Sequence, residues 1–156
     1  MTFDEAFKAL IGHEGGYVND PKDPGGETKY GVSKRAYPGE DIAGLTLERA
    51  KALYLRDYWD VVHADELPKH VRFAVFDAAV NSGVRAAVQW LQRAVGVKDD
   101  GVIGHKTLSA VVAMDPYKLA AKFNGTRLKF MTELHTFHIF GRGWSRRIAE
   151  NLINLP

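Results

Sequence analysis

Apolar residues recur at helical spacing along most of this chain, and one stretch breaks the pattern. Between Gly15 and Gly39 glycines crowd together with Asp20-Pro21 and Asp23-Pro24, residue types that favour turns over continuous helix. A chain so patterned folds as a mainly α body carrying a small β-hairpin or loop insertion after its first helix. A length of 156 residues suits one compact domain burying about two-thirds of its unfolded surface. Within it we expect two lobes, 1–66 holding the interruption and 67–156 helical.

Phe3, Ala6, Phe7, Leu10 and Ile11 make the inward stripe of a helix over 3–13, with Thr2 and Glu5 as its capping box. Gly15-Gly16 should stop it, leaving Glu14 as its last side chain, on or near the apolar stripe. Residues 17–33 read as a hairpin or extended loop. Thr46 caps a helix over about 47–58, and Pro68 opens another ending near Gly83. The stripe of Val84, Ala87, Val88, Leu91 and Val95 runs up to Gly96, a short helix follows near 105–113, and Asp115-Pro116 starts a longer one to about 134. The tail from Trp144 to Leu155 reads as helical.

Without cysteine the chain has neither disulfides nor thiolate metal sites. His135 and His138 stand at i, i+3, but spacing places no third ligand, so no metal and no cofactor are expected. The start, MTFDEAFKAL, lacks a basic n-region and a continuous apolar core. No apolar run approaches the roughly 20 residues of a membrane span. These features lead us to expect synthesis in a cytoplasm, so that for any target outside the membrane another protein must let this one through. The net charge is +2, yet Lys118, Lys122, Arg127, Lys129, Arg142, Arg146 and Arg147 face only Glu133 and Glu150 in the last 39 residues. Such a basic end suits an anionic wall or, with Trp144, Ile148 and Leu152 beside the arginines, an anionic lipid surface. Nucleic acid is not expected, since no recognition motif accompanies the charge. A monomer is expected.

A carboxylate among apolar neighbours is poorly solvated, which favours its protonated form and makes it a proton donor near neutral pH. Glycoside hydrolysis needs such an acid and a second, ionised carboxylate. Glu14 is the candidate acid, Asp23 or Asp20 the second group, and Thr28 and Tyr30 supply hydroxyls for water or sugar. By position alone, a Glu at a helix end is more often a solvated surface residue, and Asp-Pro more often only a turn former.

The string from Glu14 to Lys34, EGGYVNDPKDPGGETKYGVSK, resembles the signature of glycoside hydrolase family 108. That resemblance implies a lysozyme-like fold and an endolysin-type N-acetylmuramidase, which hydrolyses the β-1,4 bond between N-acetylmuramic acid and N-acetylglucosamine in peptidoglycan and lyses the host cell. It makes Glu14 the catalytic glutamate. Phage-type lysozymes carry an aspartate nine positions after the glutamate and a threonine six beyond that; here Asp23 agrees, while Thr28 comes five on. Asp23 would then be the general base across a cleft, and the reaction inverting. DAAVNSG (Asp77–Gly83), WLQ (Trp90–Gln92) and DGVIGHKTL (Asp100–Leu108) resemble the family's peptidoglycan-binding region, over 77–112, and FGRGWSRR (Phe140–Arg147) resembles its closing segment. Asn81 and Gln92, with Asp20 and Tyr30, are the expected substrate contacts. The alternatives are a lytic transglycosylase and a non-catalytic wall-binding or membrane-active protein.

Overall fold

The computed structural model describes residues 1–12 and 16–156. His13, Glu14 and Gly15 lie outside the described residues, and with them the expectation that Glu14 closes the first helix. The chain forms two compact units, Thr2–Asp57 and Tyr58–Pro156, the second with Met1.

The first unit opens with α1, Phe3–Ile11, whose N-cap Thr2 makes the expected box: Thr2 Oγ1 accepts from the Glu5 N–H at 3.3 Å and Glu5 Oε2 accepts from the Thr2 N–H at 2.7 Å. The described helix ends at Ile11, short of the expected residue 13. Gly12 caps it at φ 59° while its N–H bonds the Lys8 carbonyl, a left-handed backbone that glycine adopts without steric cost. Three short strands follow, β1 (Val18–Asn19), β2 (Glu27–Lys29) and β3 (Val32–Ser33), antiparallel in that order. Val18 pairs with Thr28, and Lys29 with Val32. The turn between β2 and β3 is Tyr30-Gly31, both at positive φ, as the tightest hairpins require. Gly31 is needed for a second reason, because a Cβ there would meet the Tyr54 hydroxyl. Thr46 caps α2, Leu47–Tyr54, which runs on into a five-residue π-helical segment, Leu55–Trp59. Helical patterning over 47–58 was legible, whereas the wider winding was not. The ring of Phe7 meets Tyr54 edge-on at 5.3 Å, over a small core that includes Val32, Ile42, Leu45 and Leu53.

The second unit is helical. A 3-10 turn at Ala64–Glu66 leads into α3 (Lys69–Ser82), then α4 (Val84–Val95), α5 (His105–Ala113), α6 (Pro116–Thr132) and α7 (Phe137–Ile153). Gly83 at φ 93° and Gly96 at φ 75° end α3 and α4 where expected. Asp115 Oδ1 caps α6 by accepting from the Lys118 N–H, with Pro116 in its first turn. Helices α3, α4, α6 and α7 pack together, burying Val75, Phe76, Leu91, Leu119, Phe123 and Ile148. Truncating one such aromatic to alanine costs about 3–5 kcal/mol. The last helix begins at Phe137, not Trp144. Gly141 and Gly143 lie inside it, and at Gly141 a Cβ would come within 2.6 Å of the Phe137 ring. That glycine therefore lets the ring lie against its own helix. Among the described residues no helix is long and apolar enough to cross a membrane.

Candidate functional site

The loop between β1 and β2 is built from two consecutive turns of one design. Asp20 Oδ1 accepts from the Lys22 N–H at 2.9 Å and its carbonyl from the Asp23 N–H at 3.0 Å; Asp23 Oδ1 accepts from the Gly25 N–H at 2.8 Å and its carbonyl from the Gly26 N–H at 3.0 Å. In each, proline after the aspartate sets φ near the value the turn needs, and the aspartate side chain bonds its own backbone two residues on. Both aspartates are exposed. Each has one carboxylate oxygen in its turn, and among the described residues neither Oδ2 has a partner. The loop is tied down behind them, with the Lys34 N–H bonding the Glu27 carbonyl and the Arg35 N–H that of Gly25.

Thr28 is the middle residue of β2, half-buried, with Val18 and Ser33 as its cross-strand partners. Tyr30 follows at φ 49°, and its carbonyl accepts from the Tyr54 hydroxyl at 3.2 Å. Tyr17 Oη donates to Glu27 Oε1 at 2.6 Å, and that carboxylate pushes the phenol above its ordinary value. Asp20 and Asp23 thus lie in the β1–β2 loop, Thr28 within β2, and Tyr30 in the β2–β3 turn at the other end of that strand. The Glu14 to Asp23 separation, on which inversion or retention depends, lies outside the described residues.

Gln92 and Asn81 belong to the second unit, and they stand differently. Gln92, 1% exposed, sends Nε2 to Asp100 Oδ1, the Val102 carbonyl and Thr107 Oγ1 at 2.9–3.1 Å, while its Oε1 accepts from the Gly101 N–H. The Gln92 amide and the Val102 N–H hold the Asp100 carboxyl below its usual range. The turn Asp100–Gly104 is therefore wrapped around Gln92, whose amide is occupied in holding it and not available to a sugar. Asn81 is exposed and donates from Nδ2 to the carbonyl and Oδ1 of Asp77.

Asp77 was quoted only as part of a string, yet it is the polar centre of this unit. Its carboxylate, nearly inaccessible, accepts from Arg127 Nη1 and Arg147 Nη1, each at 2.8 Å, and more distantly from Asn151 Nδ2 at 3.4 Å. This joins α3, α6 and α7. The available signal was an acid at the centre of an otherwise apolar run, between Val75, Phe76, Ala78 and Ala79. Beside this knot opens a cavity of about 570 Å³, whose walls include Asn81, Trp90, Phe130, Trp144, Arg127 and Arg147. The expected lipid-facing end is altered by the same packing, because Ile148 is buried and Arg147 turns to Asp77. His138 Nδ1 is engaged with the His135 carbonyl at 2.7 Å.

The family model for glycosyl hydrolase 108 matches residues 7–83, and one described as a predicted peptidoglycan domain matches 86–149. The solved structure of Brucella abortus SagA is 38% identical, covering 97% of this chain and 91% of its own, with a TM-score of 0.86. No curated protein matches.

Proposed function

This chain belongs to the glycosyl hydrolase 108 family and carries its peptidoglycan domain, and from that premise we propose that it is an endolysin-type N-acetylmuramidase. As a glycosidase of peptidoglycan it hydrolyses the β-1,4 bond between N-acetylmuramic acid and N-acetylglucosamine, so that the wall fails and the cell lyses. It works as a monomer made in the cytoplasm and released to the wall. The observation that carries the reading is the string Glu14–Lys34, which lies wholly within the family match.

Glu14 is the general acid. It gives its proton to the glycosidic oxygen as the bond to the anomeric carbon breaks, which lets the departing sugar leave as an alcohol. Asp23 is the general base: its Oδ2, unpartnered among the described residues, takes a proton from the water that attacks the opposite face of the anomeric carbon. The product is a hydrated sugar of inverted configuration. Thr28 and Tyr30, on the same small sheet, orient that water or the sugar. Burial and occupancy of Gln92 leave it out of this set, while exposed Asn81 stays a candidate contact.

The test is Glu14→Gln, which keeps shape and hydrogen bonding but has no proton to give. Release of reducing ends from purified peptidoglycan should fall roughly 10²–10⁴-fold with the far-UV circular dichroism unchanged. Retention of more than about a tenth of the activity would remove Glu14 from the role, since a positioned acid contributes far more than that. Mass analysis of the fragments decides the chemistry. Hydrated muramic acid ends support hydrolysis, whereas anhydro ends would make the enzyme a lytic transglycosylase.

A further inference from the structure

The cavity of the second unit has the composition of a binding site. Its volume of about 570 Å³ falls within the roughly 300–1,000 Å³ of small-molecule pockets. Its walls pair aromatic surface with guanidinium groups: the rings of Trp90 and Phe130 meet at 5.3 Å, tilted by 55°, and Trp144 and Arg147 belong to α7. Charge is not balanced there. Among the described residues Asp77 is a single carboxylate set against two guanidiniums, those of Arg127 and Arg147. Across α3, α4, α6 and α7 the carboxylates are Asp77 and Glu150 alone, and the other fixed charges are lysines and arginines. Arg127 is 0% exposed, and among the described residues its Nε and Nη2 have no hydrogen-bond partner, so a buried cation beside the cavity is only partly compensated there, an arrangement that favours a nearby anion. Arg147, by contrast, is 42% exposed and spends Nη1 on Asp77, so it stands where a ligand can reach it.

We propose that this cavity binds the free carboxylate terminus of a peptidoglycan stem peptide. Arg147 pairs with the carboxylate, Arg127 beneath adds its field, and Phe130 and Trp144 receive the small apolar side chains beside it. Asn81, held through Nδ2 by Asp77, offers its Oδ1 to a stem N–H. The match of residues 86–149 to a peptidoglycan domain takes in these wall residues except Asn81. The proposal rests on peptidoglycan being the target polymer, but it concerns the peptide and not the glycan, so it is tested without cleavage.

The probe is the glycan-free tetrapeptide L-Ala-γ-D-Glu-meso-diaminopimelate-D-Ala, titrated into the full-length chain by calorimetry, beside the same peptide with its terminal D-alanine amidated. The free acid should bind, and amidation should weaken it at least about tenfold, the scale expected when one partner of a charge pair is removed. Arg147→Gln should weaken the acid by a similar factor, should leave the amide little affected, and Arg147→Lys should recover part of the loss. Because the acid-against-amide comparison uses the unaltered protein, it holds even where a variant folds poorly. Equal affinity for acid and amide, an unaltered affinity in Arg147→Gln, or no binding of either peptide would each overturn the proposal. Stem binding without cleavage of peptidoglycan would overturn the muramidase reading alone, and cleavage without stem binding would overturn this one alone.

Discussion

Asp20 and Asp23 in the first unit stand exposed and bind the N–H two residues on, whereas Asp77 in the second is buried and binds side chains 50 and 70 residues away. A carboxylate that only shapes its own turn remains wet, with an oxygen left for chemistry. One that ties three helices is unavailable to substrate, and losing it disturbs everything it joined. The first arrangement suits a reacting group; the second suits the foundation of a binding surface. Substitutions at these aspartates should therefore separate activity from stability.

The largest effect is expected at Asp77. Asp77→Ala strands the guanidinium of Arg127 in the interior, and breaking a buried pair costs about 3–5 kcal/mol. Urea unfolding should show this, with activity falling only as the folded fraction does; a loss under about 1 kcal/mol would mean that water already solvates Arg127. Next comes the contrast within the loop. Asp23→Asn and Asp20→Asn both keep an Oδ1 acceptor for the turn, so each should change stability by no more than about 0.5 kcal/mol, while loss of a general base lowers hydrolysis roughly 10²-fold in Asp23→Asn alone. Equal activity losses would make the pair a structural unit and remove Asp23 as the base. Gln92→Leu should cost about 1–3 kcal/mol, because it leaves the Gly101 N–H and Thr107 without their partner. Cleavage of small soluble glycans by the folded protein should persist.

The smallest effect is one of pH. Asp100 in the folded chain titrates below its usual range through the Gln92 amide and the Val102 N–H, and Asp99 does so through Arg93. A carboxyl lowered in the folded state adds stability above its unfolded value, and that addition is lost as pH falls through the folded value. The urea midpoint should therefore drop between pH 5 and pH 3, and drop less in Asp100→Asn. An identical pH response in the variant would show that this carboxylate does not couple to folding.

Helix boundaries were legible wherever a local signal set them. Thr2, Thr46 and Asp115 cap their helices through a side chain three residues from the N–H it accepts, and Gly83 and Gly96 end theirs. No local signal marked the start of α7, which was expected at Trp144 and begins at Phe137, running through Gly141 and Gly143. Around the candidate site, the turns at Asp20 and Asp23 were legible because Asp-Pro turns close on themselves. Glu14 is proposed on the family string and not on its position. Gln92 was read as a sugar contact because its type suits one; nothing in its spacing from Asp100 reveals that the loop folds back around it.

By itself, then, the sequence determined the mainly helical course, the tandem aspartate turns and the family, since each depends on residues near one another in the chain or on an unbroken string of them. Tertiary structure alone decided that Asp77 meets Arg127 and Arg147, that Ile148 is buried, and that a cavity lined by both arginines opens beside them. Periodicity tells which face of a helix turns inward, but it carries no information about which residues of three separate helices meet there. That is settled by the packing of side chains at close quarters, where a buried charge must find its partner or be excluded.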